Sequence, residues 1–231
     1  MLADKLVSYL YKRKFGAILF CVGRRLSERQ DAAIRAIRKG FIIGNHSYDH
    51  LDFNNLDSIQ AQHQITSTDA IIEALYAKAN LIRPAKYFRF PYGNRGSSLE
   101  AKQFNQEMLQ RLGYVAPLHS PSADWGWDVE VEDWDVRVWN ARSKLRSAKE
   151  CLKKLQPGSV LDLHDHEANV RWHLLSSLCE TTIKLGFRFY DNAELHRQAG
   201  MRNLRQNSTR ANIGSRVSIS FATTNGETVK S

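Results

Sequence analysis

Cysteine is scarce and scattered: Cys21, Cys151 and Cys179 are the three in 231 residues. An odd number at wide spacing makes neither a disulfide framework nor a C-x-x-C metal knuckle. They read as buried thiols, with room for one disulfide at most. Long apolar runs are absent as well, none approaching the ~20 residues of a membrane span. Met1 to Arg13 alternates charge with Leu and Tyr, the pattern of an amphipathic helix rather than a signal peptide. Internal repeats are missing. The net charge of +9 would suit an anionic partner. The basic residues are nevertheless dispersed, with no aromatic-basic stripe, which argues against nucleic acid.

What is present is a globular composition, 42% hydrophobic and 25% charged, in a chain long enough for one sizeable α/β domain or two small ones. Leu2, Leu6, Tyr9 and Leu10 recur at helical spacing over 2–13. Gly16 to Val22 is a continuous apolar run and reads as a buried strand. Ser27-Glu28-Arg29-Gln30 has the form of a capping box, predicting a helix to about Lys39 that Gly40 stops. Phe41 to Ile43 reads as the next strand. A long helix follows over 57–79, with Ile59, Ile65, Ile72 and Leu75 as its inner face.

Further on, the pattern predicts a strand over 87–90 and a helix capped by Ser97 and running to about Leu112. Strand-like residues recur over 113–116 and 124–127. A helix is expected over 143–154, a strand over 159–163, a helix over 169–185, a strand over 187–190 and a short helix from Asn192. Strands alternating with helices argue for parallel β-α units, with polar loops gathered at the carboxyl ends of the strands. The expected division is a domain over 1–198 and a polar, disordered tail over 199–231, broken only by the alternation of 217–221.

The stretch Gly44-Asn45-His46-Ser47-Tyr48-Asp49-His50 carries the first chemistry. Two imidazoles four residues apart can sit on one side of a helical turn and grip one metal ion. The bland alternative is a pair of loop or cap histidines. Three further loops follow strands: Arg89-Phe90-Pro91-Tyr92-Gly93, then Glu130-Val131-Glu132-Asp133-Trp134, then Leu163-His164-Asp165. Each alone could be an ion pair, a turn, core packing or a satisfied strand-end histidine.

Together, and in this order, they resemble the motifs of the NodB-homology polysaccharide deacetylases, carbohydrate esterase family 4. The resemblance covers about residues 2–197. It implies a distorted (β/α) barrel of about seven units, a divalent metal, usually zinc, and a polysaccharide substrate. The implied reaction is hydrolysis of an acetyl group, most often the N-acetyl of N-acetylglucosamine in chitin or peptidoglycan. His46 and His50 would bind the metal, which would polarise the acetyl carbonyl and acidify its water. By the same resemblance His164 is the general acid, Asp133 its orienting partner, and Arg89 a member of the catalytic group. Trp134 would wall the acetyl pocket, and the backbone N–H of Tyr92 would face the oxyanion.

One feature of that family is lacking. Its first strand ends in Phe-Asp-Asp-Gly, supplying a general base and the third metal ligand, and this sequence contains no Asp-Asp pair. The expectation is therefore a barrel without its first strand, with unpaired edges on two neighbours and Arg89 without its carboxylate. A start codon placed too far downstream, or a truncated gene, would account for it. Asp49, Asp52 and Asp165 are the candidate stand-ins. Glu130 and Asp162 are smaller departures, the latter where a leucine normally lines the acetyl pocket. The competing expectation is an inactive remnant that at most binds glycan. Oligomeric state and localisation stay open.

Overall fold

The computed structural model describes residues 2–115, 160–164, 172–204 and 216–223. Helix α1 (Leu2–Arg13) leads into β1 (Ala17–Cys21), α2 (Gly23–Glu28), α3 (Gln30–Arg38) and β2 (Ile42–Asn45). Next come α4 (Ser58–Ala79) and α5 (Leu99–Arg111). The remaining elements are β3 (Val160–His164), α6 (Trp172–Lys184), β4 (Arg188–Phe189), α7 (Asn192–Leu204) and β5 (Arg216–Thr223). The strands pair in the order β2-β1-β5-β3, every pair parallel, with β4 joining the start of β5. This is the α/β, barrel-type arrangement the alternating pattern predicts, and it places strand carboxyl ends on one rim.

Side-chain alternation explains why β1 is apolar throughout. Leu19 and Cys21 of β1 and Ile43 of β2 face a core that includes Leu10 of α1, Ile37 of α3, and Ile72 and Leu75 of α4. Ile18, Phe20 and Ile42 face the other way, against Tyr87, Tyr190 and Leu195. A strand buried on both sides has no polar face to show.

Several expectations need correction. The helix foreseen from Ser27 begins earlier, at Gly23, and breaks at Arg29 before α3 starts. Ser27 lies inside α2, its hydroxyl donating to the Gly23 carbonyl at 3.3 Å, so it is no cap. Ile59 is 79% exposed. It stands six residues from buried Ile65, about 120° round the helix, while Ala61, Thr68 and Tyr76 complete the inner face. The N-cap of α5 is Ser98, which accepts from the Ala101 N–H, rather than Ser97. The strand expected over 87–90 shrinks to a bridge between Asn45 and Phe88. Pro84 and Pro91, lacking N–H donors, bracket it. The elements expected over 124–127 and 143–154 lie outside the described residues.

The largest correction concerns the expected tail. Residues 216–223 form β5, and it sits between β1 and β3 rather than beyond them. Ala17 pairs with Ile219 and Cys21 with Thr223 on one side; Val160 pairs with Ser218 and His164 with Ala222 on the other. The facing edges of β1 and β3 are therefore paired, not open. The physical reason is twofold: β5 satisfies the backbone groups of two strands at once, and Ile219 is fully buried in the main core.

Candidate functional site

The turn after β2 is held from three sides. His46 donates its N–H to the Cys21 carbonyl at the end of β1 (3.1 Å). The N–H groups of Gly23 and Arg24, opening α2, reach the carbonyls of Ser47 and Tyr48 at 2.9 and 3.0 Å. From α4, the buried Gln64 accepts the N–H groups of both Tyr48 (3.0 Å) and Asp49 (2.8 Å) on one oxygen. Within the turn, Asn45 Oδ1 accepts from the Ser47 N–H, and Ser47 Oγ accepts from the His50 N–H at 3.0 Å.

This geometry corrects the expected helical turn. Ser47 and His50 both adopt positive φ, 65° and 62°, which no run of helix permits. The loop doubles back instead, bringing the two imidazoles to 4.8 Å between centroids at 72°. The histidines converge by strained turn geometry supported by side-chain acceptors, not by helical periodicity.

The 89–93 loop closes over this pair. Arg89 donates its N–H to the Asn45 carbonyl and offers its own carbonyl to His46 Nδ1 at 2.9 Å. A carbonyl oxygen can only accept, so the proton of neutral His46 sits on Nδ1 and Nε2 carries the lone pair. Arg89 is buried, at 8% exposure. Tyr92, at φ 59° in the 3-10 turn Pro91–Gly93, sets its ring edge-on to His50 at 4.9 Å.

The other named residues are placed only in part. His164 is the last residue of β3 and pairs with Ala222 of β5. It stands three strand spacings from β2, about 14 Å along the curved sheet. Asp133, Trp134, Glu130 and Asp165 lie outside the described residues.

Whether these residues fit a resident metal can be tested on donor count. A catalytic zinc site takes three protein ligands. Among the described residues no group of three His, Cys, Asp or Glu side chains comes together. Asp49 accepts from Gln64 Nε2 and lies 3.8 Å from Arg24. Asp52 caps the Asn54 N–H and accepts from Asn94. These two of the three candidate stand-ins are thus held elsewhere. The described residues supply two imidazoles and do not complete the set.

Three features escaped the sequence reading. Asn45 accepts the Ser47 N–H at the start of the histidine turn, and Gln64 bonds its middle; neither type carries a pattern signal inside a strand end or a helix. The third is the carboxyl end of β5, for which the only hint was the alternation Val217 to Phe221.

A family model described as polysaccharide deacetylase matches residues 2–114. The chain is 26% identical over 163 residues to the peptidoglycan-N-acetylmuramic acid deacetylase PdaC of Bacillus subtilis, covering 70% of this chain and 29% of that protein. It spans less than two thirds of the length of the curated relatives it matches. Among solved structures it superposes on a family 4 carbohydrate esterase from Streptomyces lividans in complex with acetate, at TM-score 0.61 and 21% identity. That match covers 81% of this chain and 84% of the esterase. It also superposes on a family 4 pseudoenzyme from Bacillus anthracis, at TM-score 0.55 and 20% identity, covering 78% and 56%. These likenesses establish the distorted (β/α) barrel, and the family match from α1 to Tyr114 shows that residues 2–114 are similar to the polysaccharide deacetylases.

Proposed function

We propose that this domain acts on acetylated amino-sugar polymers of the peptidoglycan or chitin type, at the rim formed by the β2 turn, the 89–93 loop and the ends of β3 and β5. The observation that carries the reading is the convergence of His46 and His50 under Tyr92, with the His46 tautomer set by the Arg89 carbonyl. That arrangement brings two imidazoles together beside the 89–93 loop, close enough to share one ligand. The reaction such a rim serves is hydrolysis of the acetyl group. In it His164 protonates the departing amine, Asp133 orients His164, Trp134 walls the methyl and the Tyr92 N–H meets the oxyanion. His46 and His50 would be two of the ligands of a divalent ion, zinc by family habit.

A second reading is favoured by the incomplete donor set: a domain that binds the glycan without turning it over. The two separate on one experiment. Acetate release from chitin oligomers and from peptidoglycan, measured with zinc added, tests hydrolysis; titration calorimetry with the same oligomers tests binding. Acetate above the no-protein blank, lost in His164→Ala, supports the enzyme. Binding without acetate supports the second reading. Neither one removes both.

A further inference from the structure

The two-histidine set points to a definite place for what it lacks. In the parallel ladder, Thr223 of β5 pairs with Cys21 of β1, and Cys21 pairs on its other side with Asn45 of β2. The same Cys21 accepts the His46 N–H on its carbonyl. Thr223 and Asn45 are therefore two strand spacings apart, about 10 Å between Cα atoms. Side chains reaching over β1 from the two flanking strands can close that span. One row earlier, Ala222 lies between Phe20 and His164. Among described strands, β1 and β5 have their carboxyl ends between the histidine turn and His164, and β5 is the one that adjoins His164.

The residues at that end are wrong for a metal. Ala222 has no donor atom, and a neutral threonine hydroxyl is a poor ligand for a transition ion beside two imidazoles. Arg216 to Thr223 contains no Asp, Glu, His or Cys. The carboxylates nearest in sequence to the turn, Asp49 and Asp52, are bonded elsewhere.

We infer that the carboxyl end of β5 is the third side of the metal site, and that Ala222 and Thr223 leave it without its carboxylate. The chain as it stands binds zinc weakly, through His46 and His50 alone, and one carboxylate at the end of β5 completes the site. This rests on the proposed location of the glycan-acting rim but not on turnover.

The test measures zinc affinity, by competition with a chelating dye, for the wild-type chain and for Ala222→Asp, Thr223→Asp and the double variant. Ala222→Asn and Thr223→Asn serve as size-matched neutral controls, and circular dichroism reports the fold. The expected result is roughly ten-fold or more tighter binding in at least one Asp variant, absent from the Asn controls and abolished by adding His46→Gln. Where a carboxylate prevents folding, Thr223→His adds a neutral ligand at the same position and is read the same way. Wild-type protein that already holds zinc as tightly as the variants would overturn the inference, and so would folded variants no tighter than wild type. Acetate release is measured separately. A variant that gains zinc but releases no acetate supports this site and counts against hydrolysis.

Discussion

The hydroxyl of Tyr114 donates to Asp69 on α4 at 2.9 Å while accepting the side-chain amide of Asn45 at 2.6 Å. The hydroxyl has one proton, and the Asp69 carboxylate can only accept, so the direction of this relay is set. Asp69 is itself held by Arg83 (2.6 Å) and Lys86 (2.7 Å). Asn45 passes the constraint on, because fixing its Nδ2 fixes its Oδ1 on the Ser47 N–H and thereby the histidine turn. Tyr114→Phe should cost about 1–2 kcal/mol in urea unfolding. It should also broaden the His46 and His50 ring resonances. Unchanged rings would separate the relay from the turn.

Low pH should weaken the same relay. Burial pushes Asp69 toward the neutral form, but the hydrogen bond from Lys86 and the Arg83 charge outweigh it and hold the carboxyl below its ordinary value. A depressed folded-state pKa contributes stability that is fully present above the unfolded carboxylate range and is lost as pH falls through the folded value. Unfolding midpoints compared between pH 7 and pH 3 should therefore converge for wild type and Asp69→Asn. A constant gap across that window would show that Asp69 titrates normally.

Gly44 leads into the histidine turn with no room for a side chain. A Cβ there would meet the Phe20 ring at 2.5 Å. Gly44→Ala should cost about 1–3 kcal/mol by overpacking, and Gly44→Ala combined with Phe20→Leu should recover part of it. A double-mutant cycle on melting temperature measures the coupling, and strict additivity would contradict the contact.

Ile219 tests the place of β5 independently of any metal. Buried fully between the sheet and the main core, its replacement by alanine should cost about 2–5 kcal/mol. A loosely attached tail would lose nothing measurable, so a calorimetric melt of Ile219→Ala decides between them.

The His46 tautomer is open to direct observation. Nitrogen-15 spectra of the metal-free protein above pH 8 should show a protonated Nδ1 and a bare Nε2, as the Arg89 carbonyl requires. The opposite tautomer would mean that the 89–93 loop does not close over the turn as described.

Much of this protein was settled by local pattern. The apolar runs at 16–22 and 41–43 specified buried strands, because a chain buried on both faces has no polar alternation to offer. Asp57 with Gln60 closed a capping box that opens α4, and the order of His46, His50, Arg89, Tyr92 and His164 carried the family resemblance. Only the tertiary structure decided the rest. A polar stretch such as Arg216 to Thr223 looks like tail until β1 and β3 present edges on both sides of it, and strand pairing across just over two hundred residues leaves little local trace. The histidines at 46 and 50 suggested a helical turn by spacing. Their true convergence depends on Gln64, Ser47 and Asn45 supplying acceptors that permit positive φ, and the Gln64 bonds exist only once α4 has docked.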